Sequence, residues 1–260
     1  MNIVVCLKQV PDTNEVKIDP KKGTLIREGV PSIINPDDKN ALEEALVIKE
    51  KEGGKVTVIS MGPPQAEVAL REALAMGADD AILITDRAFA GADTCATGYA
   101  LSGALKKLDY DIIFAGRQAI DGDTAQVGPE IAEFLHIPQV TYVEEVEVKD
   151  KNTLKVKKAL EDGYETVTVK TPVLLTAIKE LNKPRYMHMK NIFKIFKQDI
   201  KVWHADDIDV DKSLLGLSGS PTRVRRTATK EARGKGEIVN KPYKEAVTYA
   251  LSKLKEKHLI

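Results

Sequence analysis

Short apolar runs alternate with helical stretches up to about Ala177, and this alternation constrains the fold more than any other feature of the chain. Four runs are short and rich in β-branched residues, as in strands buried on both faces: residues 3–7, 56–60, 81–85 and 111–115. The stretches between them repeat apolar residues at helical spacing and stop at glycines, as at Gly53 and Gly77. This pattern predicts an α/β fold with a mostly parallel open sheet and helices on both faces.

The pattern of the chain changes after Pro138. Residues 142–148, 154–158 and 166–170 predict strands joined by polar turns, which we interpret as an antiparallel extension of the sheet. From about Asn182 the chain is basic and irregular until an amphipathic helix predicted over residues 242–255. We therefore divide the chain into an α/β domain, residues 1–181, and a segment, residues 182–260, that wraps on a partner chain. A mobile tail is the alternative.

Charge balance and the positions of cysteine and histidine exclude several classes of function. Lysine plus arginine equals aspartate plus glutamate at 39 each, so we expect no nucleic-acid binding, and the basic run between residues 223 and 235 lacks interleaved aromatics. Cys6 and Cys95 lie far apart and the histidines are scattered, so we expect neither a metal site nor a disulfide framework. With no signal peptide and no apolar run near the roughly 20 residues that span a bilayer, we expect a cytoplasmic protein without membrane insertion.

The strongest local motif is the segment of residues 116–128, which follows the predicted strand 111–115 and leads into a helix. A helix start carries free backbone N–H groups and the positive end of the helix dipole, and both suit phosphate. The segment supplies glycines, neutral hydrogen-bond donors and one cation: Gly122, Gly128, Thr124, Gln126 and Arg117. Because it has neither a Walker A nor a GxGxxG pattern, an ordinary capped loop is an equal alternative on spacing alone.

Three further expectations concern the end of this segment. We expect Asp123 to cap Gln126 in the manner of a capping box. We expect Asp121 and Asp123 to face the backbone or a ribose, because two carboxylates beside a phosphate would repel it. Pro129 is either the first residue of the helix, with Gly128 as its cap, or an interior break after one turn.

Loops after the other strands reach the same edge of the predicted sheet, where ligands of parallel sheets bind. Asn35 and Asp38 precede a helix, and Asp38 is suited to be its N-cap. Residues 60–62 form a strand-to-helix turn. Asp93 is a candidate cap followed by two hydroxyls one turn apart, Thr94 and Thr97, where small residues leave room for a flat ring. A packing role is an equally good explanation there.

Five segments, taken in order, resemble the beta subunit of electron-transfer flavoproteins: residues 5–12, residues 35–38 with 42–45, residues 73–79, residues 116–128, and residues 182–186 with 191–192. The likeness covers essentially the full length. It implies a Rossmann-like, adenine-nucleotide-binding fold and a heterodimer whose alpha subunit carries a mobile FAD domain. In the mitochondrial type the beta subunit holds AMP, and in the bifurcating type of anaerobes it holds a second FAD.

The resemblance also implies where the cofactor lies. The adenosine is near the loops after the first strands, the pyrophosphate is along residues 122–128, and the flavin ring is near the two threonines. The complete predicted cofactor set is Cys6, Asn35, Asp38, Ser60, Met61, Gly62, Asp93, Thr94, Thr97, Arg117, Ala119, Gly122, Asp123, Thr124, Ala125, Gln126, Val127 and Gly128. No residue of this chain is predicted to be catalytic.

Two further elements resemble partner contacts of the family. Residues 184–191 look like the recognition loop that docks a dehydrogenase, with Pro184, Arg185 and Tyr186 at its start and Met189 at the place of its apolar anchor. Methionine there replaces leucine, which a docking pocket should tolerate. Glu165 stands where the family has a carboxylate that pairs with the alpha subunit.

The choice between FAD and AMP decides the implied function. Residues 11–13, 23–27, 31–34 and 93–97 resemble the bifurcating group, and Gly122 stands where the AMP type tends to carry an acid. We therefore expect FAD, reduced by NADH. One electron would pass to ferredoxin or flavodoxin, and the other through the alpha-subunit FAD to an acyl-CoA dehydrogenase or enoyl-CoA-type reductase. A non-bifurcating subunit with structural AMP is the alternative. A stress-type ATP-binding protein is weaker, because it leaves the loop after Asn182 unexplained.

Overall fold

The computed structural model describes residues 1–12, 31–195, 198–225 and 236–260. Its strands are β1 Asn2–Cys6, β2 Gln9–Pro11, β3 Ser32–Ile34, β4 Lys55–Met61, β5 Asp80–Ile84, β6 Ile112–Gly116, β7 Gln139–Asp150, β8 Thr153–Leu160, β9 Gly163–Lys170, β10 Val173–Ala177 and β11 Lys201–Trp203. Its α-helices are α1 Pro36–Glu52, α2 Glu67–Met76, α3 Thr94–Leu105, α4 Val127–Leu135, α5 Met189–Ile195, α6 Gly216–Gly219 and α7 Tyr243–Glu256. Thr13, residues 23–27 and the basic residues 226–235 lie outside the described residues.

The main sheet has nine strands in the order β11-β5-β4-β1-β6-β10-β7-β8-β9. Every neighbouring pair from β11 to β7 is parallel, whereas β7, β8 and β9 form an antiparallel meander. The predicted parallel sheet and its antiparallel extension are therefore confirmed. The strand predicted from residue 142 begins earlier, at Gln139, because its first residues pair with β10 inside the parallel part.

Helices cover both faces of the sheet, as predicted. Alternate residues of β1 point to opposite faces, so Ile3 and Val5 join one apolar cluster with residues of α1 and α2, and Val4 joins a second with residues of α3 and α4. Helices α1 and α2 end at Gly53 and Gly77, where the sequence placed their ends.

The strand order reverses beside β1. The chain runs from β1 outward to β4 and β5, and then returns to the other side of β1 as β6. Open α/β sheets bind ligands in the crevice beyond the carboxyl ends of the strands beside such a reversal, which here are β1 and β6.

The chain divides by packing into two compact units, Met1–Arg225 and Arg226–Ile260. Residues 182–225, which we grouped with the C-terminal arm, pack with the first unit because β11 extends the sheet beside β5. The second unit contains α7, which has no buried residue. Its predicted contact with a partner chain stays a prediction. Within the described ranges, no helix has the length and apolar character that crossing a membrane requires.

Candidate nucleotide site

Asp38 joins the two strands that border the crevice. Its buried carboxylate accepts hydrogen bonds from the backbone N–H of Lys8, after β1, at 2.7 Å and of Gly116, at the end of β6, at 2.9 Å. Gly116 permits this contact, since a Cβ there would lie 2.2 Å from Asp38 Oδ1. Burial raises the pKa of Asp38 to about 7, against the lowering effect of these hydrogen bonds. Asp38 is the third residue of α1, so the prediction that it is the N-cap is wrong; Asn35 has that position.

Asn35 holds the loop that follows β6, residues 116–126. Its side chain is fully buried; Nδ2 donates to the carbonyl of Gln118 at 2.8 Å, and Oδ1 accepts from the N–H of Ile120 at 3.1 Å. Asn35 and Asp38 thus fix the backbone of the 116–126 loop. Their contact with an adenosine stays a prediction.

The two glycines predicted to admit a phosphate have different surroundings. A Cβ on Gly122 would meet no atom within 4 Å, so this position faces open space. A Cβ on Gly128 would lie 2.7 Å from Thr176 Cγ2, so the close approach that Gly128 permits is between α4 and β10. Of these two glycines, only Gly122 leaves room for a neighbouring group.

Helix α4 begins without a side-chain cap. Val127 is its first residue and Gln126 occupies the cap position, while Oδ1 of Asp123 accepts instead from the Gln118 amide at 2.9 Å. The predicted capping box is therefore wrong. Pro129 is the third helical residue, which neither of our alternatives anticipated; its missing N–H costs no helical bond in the first turn. The first turn consequently offers uncapped N–H groups to a ligand.

Lys8 belongs to this edge, and the sequence reasoning missed it. Its Nζ lies 2.6 Å from Oδ1 of Asp121, a lysine partner that our expectation of the backbone or a ribose did not include. Asp123 likewise faces a side chain. Lys8 is the first polar residue after β1, and that position was a usable signal, because the edge after each strand was already the predicted ligand side.

The start of α3 meets the start of α4. Asp93 caps α3, as predicted, by accepting from the N–H of Ala96 at 3.0 Å. Oγ1 of Thr94 lies 2.9 Å from Gln126 Oε1 and 3.1 Å from Glu130 Oε1. The structure therefore brings Thr94 together with the end of the 116–128 segment, and half-buried Thr97 follows one turn later.

Three buried side-chain atoms in the described part of the chain have no hydrogen-bond partner: Ser60 Oγ, Arg117 Nε and Glu130 Oε2. Ser60 is the second-last residue of β4, Arg117 directly follows β6 and Glu130 is the fourth residue of α4, so all three lie toward the carboxyl edge of the sheet. An unsatisfied buried polar group costs roughly 1–3 kcal/mol. Their grouping at one edge is typical of a binding site. We predicted Ser60 and Arg117 but missed Glu130.

Other members of the predicted cofactor set are buried in the core or define the backbone path of the loops. Cys6 is buried in the core, and burial raises the pKa of its thiol to about 12, so it offers packing rather than reactivity. Met61 and Gly62 carry β4 to the edge and are half-buried. Asp123 and Ala125 have left-handed backbone, with φ of 51° and 54°, in a loop otherwise free of such residues. Ala119 and Thr124 lie on the same loop.

A second segment, residues 182–193, is held on the outer face of α1. It consists of a loop and the first residues of α5, and we call it the 182–193 loop. Arg185 Nε lies 2.8 Å from Glu43 Oε2, its backbone N–H donates to the same carboxylate at 3.0 Å, and its Nη2 lies 3.1 Å from Glu50 Oε2. Asn182 and Asn40 exchange side-chain to backbone hydrogen bonds. Arg185, which we predicted to dock a partner, is thus engaged within the chain.

The same loop leaves large apolar side chains exposed. Tyr186 is 93% exposed, Met189 73% and Phe193 71%, while Pro184 is half-buried. Phe193 was missed, although its position one helical turn after Met189 was a usable signal. Glu165 lies on β9, the terminal strand of the meander, exposed and opposite Lys158.

A strand-order reversal, a fixed loop beside it and an uncapped helix start are typical of α/β proteins that bind nucleotides. The profile of the "Electron transfer flavoprotein domain" matches residues 22–208. The chain is 72% identical to the "Electron transfer flavoprotein subunit beta" of Clostridium acetobutylicum over the full length of both. It is 56% identical to the "Caffeyl-CoA reductase-Etf complex subunit CarD" of Acetobacterium woodii, again over both full lengths. It is 46% identical to the "Acryloyl-CoA reductase electron transfer subunit gamma" of Anaerotignum propionicum, also over both full lengths.

The chain belongs to the electron transfer flavoprotein family, as a beta subunit. The resemblance stated from the five sequence segments is thereby confirmed. Its general role is electron transfer in redox complexes, and the family binds flavin or AMP-related cofactors.

Proposed function

We propose that the crevice holds FAD and that the chain acts in a heterodimer with an electron-transfer flavoprotein alpha subunit. The observation that carries this proposal is the position of Ser60 Oγ, Arg117 Nε and Glu130 Oε2, buried and without hydrogen-bond partners, toward the edge where α4 begins uncapped. Arg117 Nε has only a long ion-pair contact, 3.5 Å from Asp37 Oδ2. The first turn of α4 would hold the pyrophosphate, Ser60 and Arg117 would lie along the nucleotide, and the flat ring would face Thr94 and Thr97.

Two observations favour FAD over AMP. Gly122 faces open space, which suits a pyrophosphate that extends past the first phosphate. Two relatives carry names of acyl-CoA-type reductase complexes, caffeyl-CoA reductase and acryloyl-CoA reductase. The alternative is structural AMP in a non-bifurcating subunit, which would use the same helix start for a single phosphate.

Bound FAD would supply the redox chemistry, since it accepts a hydride from NADH and releases electrons singly. This chain's residues bind it, orient it and limit the access of water. We propose ferredoxin or flavodoxin as one acceptor, and as the other an acyl-CoA dehydrogenase or enoyl-CoA-type reductase, reached through the alpha-subunit FAD. The exposed Tyr186, Met189 and Phe193 would dock that dehydrogenase, whereas Glu165 and the arm that contains α7 would contact the alpha subunit.

Nucleotide analysis of the purified heterodimer tests this function. The nucleotides are released by denaturation, separated and quantified against protein. We expect two FAD per heterodimer and rapid bleaching of flavin absorbance by NADH. One FAD with one AMP would establish the structural-AMP alternative, and the absence of any adenine nucleotide from this chain would overturn both.

A further inference from the structure

Glu130 is a half-buried carboxyl group between the starts of two helices. It lies in the first turns of α4, and its Cβ packs against Gly98 of α3, where a Cβ would be only 3.0 Å away. Oε1 faces the Thr94 hydroxyl at 3.1 Å, and Oε2 is buried without a partner. Because Gly98 has no side chain, the Glu130 side chain can pack between α3 and α4, on the proposed ligand side of the sheet.

With the Gln126 amide in its present orientation, a protonated Glu130 completes the hydrogen bonds around Thr94. The Thr94 hydroxyl has one hydrogen and faces two acceptor oxygens, Gln126 Oε1 at 2.9 Å and Glu130 Oε1 at 3.1 Å. If Glu130 is protonated, it donates to Thr94, which donates to Gln126. If Glu130 is ionised, one of the two contacts lacks a proton unless the Gln126 amide turns over.

The surroundings of Glu130 disfavour its charge. Burial raises the pKa of its carboxyl, the Thr94 hydrogen bond lowers it, and the neighbouring carboxylate of Asp93 raises it further. The titratable groups that face it from α3 are Asp93 and Cys95, both of which repel a carboxylate when ionised. In residues 1–12, 31–195, 198–225 and 236–260, no lysine or arginine forms an ion pair with Glu130.

An anionic ligand and an ionised Glu130 would compete for the same positive helix ends. We infer that Glu130 is protonated whenever a nucleotide occupies the crevice, so that binding takes up one proton at this carboxyl. This inference rests on the proposed function, but it holds for FAD and for AMP alike, because both are anionic. By linkage, the phosphate raises the proton affinity of Glu130, and the proton raises the affinity for phosphate by the same factor.

The sign of the pH dependence follows directly. Below the pKa of Glu130 in the free protein, the carboxyl is already protonated and nucleotide affinity does not change with pH through this group. Above that pKa, and up to the higher pKa of the complex, binding must take up a proton. Affinity then falls as pH rises, by up to about tenfold per pH unit for one proton.

Calorimetric titration of FAD, and separately of AMP, into the nucleotide-free full chain measures the proton uptake. The titration is repeated at several pH values in two buffers that differ in ionisation enthalpy. For the wild type we expect uptake approaching one proton and an affinity that falls with pH. For Glu130→Gln, which keeps the shape and removes the charge, we expect lower uptake and a flatter affinity profile. Glu133→Gln is the matched control, because Glu133 is exposed on the same helix one turn away.

The outcomes separate the two ideas. Nucleotide binding with no proton uptake by the wild type, or with uptake unchanged in Glu130→Gln, would overturn the role of Glu130 and leave the proposed function intact. If neither nucleotide binds the folded wild type, the proposed function itself is overturned, and this inference with it. If Glu130→Gln does not fold, the proton uptake of the wild type alone decides between these outcomes.

Discussion

Helix α1 holds two loops, one from its start and one along its outer face. At its start, Asn35 and Asp38 bond to the backbone of the β1 and β6 loops from fully buried positions. Along its outer face, buried Glu43 and exposed Glu50 hold the 182–193 loop through Arg185. One helix therefore sets the position of both the proposed nucleotide edge and the proposed docking surface.

The two loops also differ in the polarity of the surface that they expose. The 116–126 loop offers backbone, glycine and polar side chains, whereas the 182–193 loop offers Tyr186, Met189 and Phe193 to solvent. Buried hydrogen bonds are costly to break, while an exposed ion pair such as Arg185–Glu50 contributes less and weakens in salt. The proposed nucleotide edge is therefore held from buried Asn35 and Asp38, whereas the proposed docking surface depends in part on exposed Glu50.

The largest effect is expected for Asp38→Ala, which removes the acceptor of two buried N–H groups. At roughly 1–3 kcal/mol for each unsatisfied group, the free energy of unfolding should fall by about 2–6 kcal/mol, and bound nucleotide should be lost. Urea unfolding measures the change. Asp37→Ala, one residue away and near Arg117 at 3.5 Å, is the control and should cost less. Equal losses in the two variants would show that the nucleotide edge is not held from the core.

Met189→Asp tests the other loop. A charge in the middle of an apolar docking surface should slow electron transfer to the acceptor dehydrogenase by about tenfold or more, as for a central interface residue. Reduction by NADH should not change, because the 182–193 loop is held on α1 and not at the crevice. Stopped-flow measurement of both steps checks this.

The control for that experiment is Val68→Asp, which places the same charge on an equally exposed apolar residue of α2, 62% exposed and outside the loop. It should affect neither step. If Met189→Asp slowed both steps together, the loop would not be a docking element, and the difference between the two loops would disappear.

Local sequence was sufficient for the elements that carry a local signal. Buried parallel strands are continuous apolar runs, so β1, β4, β5 and β6 were predicted within one or two residues. The candidate edge followed from the rule that parallel sheets bind ligands beyond the carboxyl ends of their strands. The motif at residues 116–128 was placed correctly on a strand–loop–helix connection.

The contacts that hold the site could not be predicted, because they join distant parts of the chain. Asp38 bonds to Gly116 across 78 residues, and Arg185 to Glu43 across 142. From the sequence alone, Asp38 was predicted to be a helix cap and Arg185 to contact a partner. Glu130 was missed for the same reason, since its burial depends on Gly98 of another helix.

Gly122→Asp probes the open side of the nucleotide loop. Because nothing lies within 4 Å of a Cβ there, the fold should tolerate the change. A carboxylate near the pyrophosphate should weaken FAD binding by about tenfold, the effect of roughly 1.4 kcal/mol of repulsion in a partly screened site. Gly122→Asn, of equal size and without charge, should bind nearly as the wild type. Equal affinity in all three proteins, measured by flavin fluorescence, would refute this placement of the pyrophosphate.

The smallest effect is expected for Glu50→Gln, which weakens the exposed one of the two carboxylates that hold Arg185. A partly exposed ion pair contributes about 1 kcal/mol or less, so the loop should open up to about fivefold more often without loss of the fold. Amide hydrogen exchange should therefore quicken over residues 186–193 and not at Gly116 or Ile120. High salt should produce the same change in the wild type, because screening weakens the pair. Faster exchange at both loops would mean that α1 itself had loosened, and the two loops would then not be held independently.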